Sequence, residues 1–286
     1  MDEQRTRSAA GAGERKVGVS AEAVRAVGGD QARFVGYEAL SVRTNVVAIS
    51  EQDGRTLVKL ADSPFYAEGG GQAGDSGVLL SAAGDQIAEV VGVIRAGDDQ
   101  ALVVEGSKGG LEVGLELVAE VDPTTRHATE CNHTATHLLH AALRARLGDH
   151  VRQAGSYVGP DKLRFDFNHS ARLSDEDRQA VEDEVNEQIL ASHNVRALTT
   201  TIDEAQKLGA MALFGEKYGD IVRMVEIGDG SYSRELCGGT HVARTSEIAC
   251  LKITSEGSSA ANVRRIEAVT GPVAVQLLRG NDALLS

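Results

Sequence analysis

The alternation of apolar and polar positions changes period once along the chain. Between Arg33 and Val121 short β-branched runs recur at Leu40–Ser50, Thr56–Leu60, Gln86–Ile94, Ala101–Val104 and Leu115–Val121, separated by Gly- or Asp-rich turns. That spacing predicts a small β-barrel or sandwich over residues 33–121. At Asp122-Pro123 a carboxylate stands at an N-cap with proline at the first helical position, and no Gly or Pro follows until Gly148. One helix of roughly seven turns is expected. Beyond it Leu163–Phe167 alternates as a strand, and Ser174-Asp-Glu-Asp177 caps a second helix carrying Val181, Val185 and Ile189 on one stripe. A shorter helix is expected around Ala205–Leu213, and strands near Ile221–Ile227, Ala249–Ser255 and Val263–Thr270. Helices followed by strands make the block 122–272 an α+β unit. Residues 1–32, rich in Ala, Gly, Arg and Glu, read as a charged leader or helix, and 273–286 as the start of a helical connector.

The long helix carries the first candidate chemistry. At ~100° per residue Ala135, Leu138, Leu139, Ala142, Leu143 and Leu147 share one side, while His133, His137, His140 and Arg144 share the other. Three histidines on a polar face are ordinarily a solvated face. A second pair, Cys237-Gly-Gly-Thr-His241, alters that reading, because its glycines expose backbone and fold Cys237 and His241 toward a common point. His133, His137, Cys237 and His241 together offer four ligands of the right softness for tetrahedral Zn2+. His140 is spare, either beside the ligands or turned to solvent. The residue after His133 is Thr134, so the His-Glu-x-x-His peptidase helix and its general base are lacking.

Composition narrows the partners. With 286 residues, 42% of them apolar, the chain can form two cored domains. No apolar run approaches the ~18 residues that span a bilayer, so no membrane partner is expected. Met1-Asp-Glu-Gln-Arg5 carries no apolar signal region, and three cysteines suit a reducing cytoplasm. Cys131 and Cys250 read as ordinary thiols. Against 29 basic side chains stand 42 acidic ones, a formal charge of -13. Binding to polyphosphate through bulk field is therefore disfavoured, no DNA partner is expected, and any nucleic-acid contact must be local. Arg264-Arg265, Lys162 with Arg164, and Lys217 are the candidates, although exposed basic residues are usually solvated surface. The absence of Trp argues against a base-stacking platform. Gly69-Gly70-Gly71 permits a tight path within Ser63–Asp75, but no Gly-Lys-Ser/Thr follows it, so that loop has no evident purpose.

Several longer motifs carry a resemblance. Ser63-Pro-Phe-Tyr-Ala-Glu-Gly-Gly-Gly-Gln72, His133-Thr-Ala-Thr-His137-Leu-Leu-His140, Gln153-Ala-Gly-Ser156, Leu163-Arg-Phe-Asp-Phe167, Phe214-Gly-Glu-Lys-Tyr218, Glu235-Leu-Cys-Gly-Gly-Thr-His241 and Val263-Arg-Arg-Ile-Glu-Ala-Val-Thr-Gly271 together resemble the editing region of bacterial alanyl-tRNA synthetases. Free-standing alanyl-tRNA editing proteins share the zinc motifs. The resemblance implies a barrel-like subdomain followed by the α+β editing core found also in threonyl-tRNA synthetases. It implies hydrolysis of serine or glycine wrongly esterified to tRNA(Ala), in a chain where nothing resembles the aminoacylation core. Gln153 and Thr136 match positions lining the amino-acid pocket. Four protein ligands normally close a zinc site, so either one of them, Cys237 being the candidate, gives way to substrate or water, or the ion positions the substrate while the attacking water is bound elsewhere. Substrate contacts are expected from Thr136, Gln153, Gly238, Gly239, Arg264 and Arg265. A structural zinc module binding RNA or a partner without catalysis is the rival, and a different metal-dependent hydrolase is a third reading. Two departures stand out. The loop Ser255–Asn262 looks one residue longer than usual, with Asn262 where glycine is common, and Ala249-Cys250 replaces a glycine and a bulky residue.

Overall fold

The computed structural model describes residues 20–52, 54–106, 110–212 and 218–285. Most of the proposed leader, the Phe214–Lys217 part of one motif and the candidate Lys217 lie outside these. The chain divides into two compact units, residues 1–126 and 127–286, with the division inside the long helix.

In the first unit a short helix, α1 (Ala21–Val27), is capped by Ser20, whose hydroxyl accepts from the amide of Ala23. It buries Ala23 beside Leu57 and Val103. A two-residue strand β1 (Arg33–Phe34) pairs in parallel with β4 (Asp62–Ser63). The expected barrel is closed. Strands β2 (Ser41–Gln52), β3 (Arg55–Leu60), β5 (Gly77–Leu80), β6 (Gln86–Ala96), β7 (Asp99–Glu105) and β8 (Glu116–Val121) run round it in the order β2-β3-β7-β6-β5-β8. Val46, Val58, Leu60, Leu79, Val90, Leu102 and Leu117 fill its interior, and closure leaves no edge to aggregate. The sequence pattern missed β5, four residues too short to show alternation.

The glycine-rich loop proves to be a structural plug. Phe65, Tyr66, Ala67, Gln72 and Asp75 are buried. Asp75 accepts from the amide of Tyr66 and pairs with Arg126, itself fully buried, whose other donors reach the carbonyls of Gly36 (2.8 Å) and Pro64 (2.9 Å).

The long helix α2 (Pro123–Leu147) begins as expected. Asp122 Oδ1 accepts from the amides of Thr124 and Thr125. The apolar side of α2 packs on a four-stranded sheet, β14-β15-β10-β9, made from β9 (Gln153–Val158), β10 (Leu163–Asn168), β14 (Leu251–Ala260) and β15 (Val263–Thr270). Ala135, Leu138, Leu139 and Leu143 meet Phe165, Phe167, Ile253 and Ile266 there, with Val181, Val185 and Ile189 of α3 (Asp175–Leu190). A second sheet orders β11 (Val195–Thr201), β12 (Ile221–Ile227) and β13 (Ser233–Leu236), with α4 (Ile202–Lys207) following β11. α5 (Gly271–Leu285) follows β15, and no described helix is long and apolar enough to cross a membrane.

Four differences from the sequence reading have physical causes. The short helix sits earlier than Ala205–Leu213, because Thr201 caps it by accepting from the amide of Glu204, and Gly209 at φ 79° follows its end. Strands β9, β11 and β13 were missed. β11 lies at a sheet edge with hardly a buried residue, so it shows no alternation. The stretch Ser255–Asn262 is mostly strand. β14 continues to Ala260 with two register shifts, and Asn262 closes the hairpin at φ 57°.

The last difference is at Ala249. It adopts φ 67°, ψ -64° while the amide of Cys250 donates to the carbonyl of Ile248, the strained form of the γ-turn. Relief of ~1–3 kcal/mol of backbone strain outweighs the ~0.4–1 kcal/mol that extra unfolded-chain freedom costs. Ala249→Gly is therefore expected to raise stability by about 1 kcal/mol, read as a higher urea midpoint; an unchanged or lower midpoint contradicts it.

Candidate metal centre

The histidine side of α2 is not solvated. His133, His137 and His140 are all buried, as are Thr134 and Thr136 between them, because β13 and the loop after it lie over that side. The amide of Cys237 extends the β12–β13 ladder by donating to the carbonyl of Arg223. Arg223 Nη1 then donates to the carbonyls of Cys237 and Gly239, both at 2.8 Å, which clamps the loop. Neither Gly238 nor Gly239 has a positive φ, so the loop does not need glycine for its backbone path. Gly238 is exposed, and a Cβ there would meet open space.

His133, His137, Cys237 and His241 converge, their ligand atoms all within 4.8 Å of one another, and such a group can hold a metal ion. Cys237 Sγ lies 3.4 Å from His133 Nε2 and 3.3 Å from His241 Nε2. These are close to the ~3.5 Å edge of a tetrahedron built with Zn–N near 2.05 Å and Zn–S near 2.3 Å.

Two residues that the sequence reading quoted without assigning a role orient the ligands. Glu235 on β13 accepts from His137 Nδ1 through Oε2 and from His140 Nδ1 through Oε1, each at 3.1 Å. A carboxylate only accepts, so both histidines carry their proton on Nδ1, and His137 turns Nε2 to the cluster. Thr134 Oγ1, 3.1 Å from His241 Nδ1, holds the ring of the fourth candidate ligand in place and accepts from the amide of Val242. The signal for Glu235 was its place two residues before Cys237: alternation along a strand puts it on the same side. His140 is thus beside the ligands, and its solvent-facing alternative fails. Its Nε2 is buried with no hydrogen-bond partner among the described residues.

The electrostatics are those of a charged, enclosed group. Burial disfavours the charged form of His137, but Glu235 and Cys237 more than offset this and raise it to about 10. Burial opposes ionisation of Glu235 and Cys237 as well, yet the facing histidines hold the carboxyl low and draw the thiol well below its usual value, toward thiolate. Burial and the charge of His133 push His241 down to about 3. Cys131 is different: burial and the nearby Glu130 and Glu247 push its thiol up to about 12, as an inert thiol should be.

A cleft of about 350 Å³ is lined by His140 and Glu235, which neighbour the candidate ligands, and by Gln153, Arg144, Arg152 and Met211 among others. Gln153 opens β9, and its amide nitrogen donates to Ser156 Oγ at 3.1 Å. Thr136, expected in the same pocket, is buried and does not line this cleft; its hydroxyl donates to the Asn132 carbonyl at 2.8 Å. The two arginines singled out as substrate contacts are adjacent on β15 and so point to opposite faces. Arg264 is paired with Glu256 and Arg265 with Asp166, at 2.6 Å each. Lys162 is paired with Glu267 at 2.7 Å. The cleft's basic groups are instead Arg144 and Arg152.

The comparisons fit this geometry. Residues 1–125 match the family model of class II (A) tRNA synthetases, against the expectation that nothing in the chain resembles that class, and residues 222–267, which carry β12, β13 and the Cys237–His241 loop, match the threonyl and alanyl tRNA synthetase second additional domain. The Alanine--tRNA ligase of Rubrobacter xylanophilus is 49% identical over 251 residues, 87% of this chain and 28% of that protein. That of Aromatoleum aromaticum is 50% identical over 263 residues, 87% of this chain and 29% of its own length. That of Halorhodospira halophila is 47% identical over 285 residues, 96% of this chain and 32% of its own length. The chain thus spans less than a third of these relatives, and it is an alanine--tRNA ligase-type region containing a barrel and an α+β editing-type domain.

Proposed function

We propose that this region hydrolyses the ester of mischarged tRNA(Ala), releasing serine or glycine, at a centre that holds one zinc ion through His133, His137, Cys237 and His241. The observation that carries the reading is the oriented His3Cys group, whose partner Glu235 also lines the cleft that contains Gln153. Zinc fits the donor set, since one thiolate and three imidazoles suit a borderline-soft cation. Charge fits too: the Cys237 thiolate and the Glu235 carboxylate balance a divalent ion in a buried place. When bound, zinc supplies Lewis-acid charge that can hold or polarise the aminoacyl group.

The rest falls to the chain's own residues. An aminoacyl ester is already activated, so the protein has chiefly to hold its carbonyl where water can add and the ribose hydroxyl can leave. Gln153 offers an amide donor and acceptor to the amino acid. Cys237 and His241 are half-buried, whereas His133 and His137 are fully so, which puts the accessible edge of the centre at the loop. Completeness of the four-ligand set favours the second reading, a closed structural zinc site in a module that binds RNA without catalysis.

Incubating the protein with Ser-tRNA(Ala) and Ala-tRNA(Ala) decides between them. Hydrolysis is expected to be faster for the seryl ester; loss of both esters at the rate in buffer leaves only the structural reading.

Thr136 does not line the cleft, so a role in selectivity requires the serine hydroxyl to reach it beside His137 on α2. The Thr136 proton is committed to the Asn132 carbonyl, so its oxygen can accept from the hydroxyl of serine. A site that satisfies a substrate hydroxyl discriminates against the analogue lacking one, because its own polar group is otherwise left dry. Glycine also lacks the hydroxyl, so this cannot be the whole filter. Thr136→Val is expected to keep metal content and lower the ratio of seryl to alanyl hydrolysis roughly tenfold, equivalent to ~1.4 kcal/mol. Equal ratios at equal metal content would remove Thr136 from this role.

A further inference from the structure

In a chain of net charge -13 many, though not all, arginines of the sheets and helices pair with a neighbouring carboxylate. Arg126 pairs with Asp75, Arg146 with Asp177, Arg234 with Glu226, Arg264 with Glu256 and Arg265 with Asp166. Arg152 is an exception. It is exposed, it lines the cleft beside the metal centre, and it has no ion pair or side-chain hydrogen bond among the described residues.

Its position is built. Arg144 donates to the carbonyls of Asp149 and Val151, both at 3.0 Å, and pairs with the Asp149 carboxylate at 2.6 Å. These bonds hold the turn between α2 and β9 and so set the place of Arg152 just beyond it. The charge of Arg144 is largely spent on Asp149, whereas that of Arg152 is not.

The cleft therefore brings two chemistries together: Glu235 and His140, of which Glu235 also holds the candidate ligand His137, and the guanidinium groups of Arg144 and Arg152. Seven residues of α2 separate His137 from Arg144, an axial distance of ~10 Å. A ligand with an uncharged ester at one end and an anion about one nucleotide away would match both. Guanidinium is suited to the second, since its planar fork binds phosphate oxygens in pairs. An acidic protein needs such a local cation to hold a polyanion at all.

We propose that Arg152 binds a backbone phosphodiester near the 3′ end of a single-stranded RNA whose terminal ester enters the metal centre. This deepens the deacylase reading and rests on it for the identity of the ester.

The test measures binding, with hydrolysis followed in parallel. The probe is a short single-stranded RNA, compared with the same strand carrying neutral methylphosphonate linkages at its last two positions. The wild-type chain is expected to bind the phosphodiester strand about tenfold more tightly. Arg152→Ala should abolish that preference and reduce the slope of log affinity against log salt by ~0.7, one single-strand phosphate contact. Arg152→Lys should retain part of it. A wild-type chain that binds neither strand or does not distinguish them, or an Arg152→Ala variant that still does, overturns the proposal. Discrimination by the wild type without hydrolysis of Ser-tRNA(Ala) would instead defeat the deacylase reading and leave the phosphate site standing.

Discussion

The His133→Ala/His137→Ala variant is expected to purify without zinc, while the unaltered chain carries one ion, and to unfold roughly 10 °C lower. The pair supplies two of the four ligands from one helix, and the other two come from a loop about a hundred residues on. An ion bound at ~1,000 times its dissociation constant adds about 4 kcal/mol to the folded state. Losing that amount in a unit of this size lowers the midpoint by roughly 8–16 °C. Without the ion the loop keeps the Arg223 clamp and the Cys237 amide bond, so it should loosen without the whole sheet unravelling. Metal analysis and a thermal scan provide the measurement, with chelator treatment of the unaltered chain giving the same shift. Zinc retained at full occupancy in the double variant would refute the ligand set.

The second large effect lies in the other unit. Arg126→Met should cost about 3–5 kcal/mol, because it leaves the Asp75 carboxylate buried without its counter-charge. The carbonyls of Gly36 and Pro64 lose a donor at the same time. The amide of Tyr66, a neutral donor, would still reach Asp75 but does not replace the guanidinium. Adding Asp75→Asn to Arg126→Met removes the stranded charge while keeping an acceptor for Tyr66, so the double variant should recover part of the loss. Urea unfolding of the three proteins separates the contributions. A cost below 1 kcal/mol for Arg126→Met, or no recovery in the double variant, would show that the pair does not hold the glycine-rich loop in place.

What the sequence determined was whatever is written in local chemistry or in a strong period. Asp122-Pro123 started α2 where expected, the stripe Val181, Val185, Ile189 faced the core, and β-branched runs gave five of the six barrel strands. The two metal-type pairs were legible because ligand type and i, i+4 spacing are sequence properties. The tertiary structure decided what depends on a partner distant along the chain. Whether the histidine side of α2 was wet or buried could not follow from α2 alone, since the residues that cover it, β13 and the Cys237 loop, come from elsewhere. The same holds for Glu235, whose carboxylate matters only where it meets His137 and His140, and for Arg126, which reads as one more surface arginine until Asp75 closes on it. Arg264 and Arg265 looked like a basic patch in sequence, but successive strand residues point to opposite faces, and each met its own carboxylate. Arg152, beside Gln153 in an unremarked turn, became a candidate because folding left its charge unpaired in the lining of the cleft. Charge pairing is a property of the folded surface, not of the order of residues.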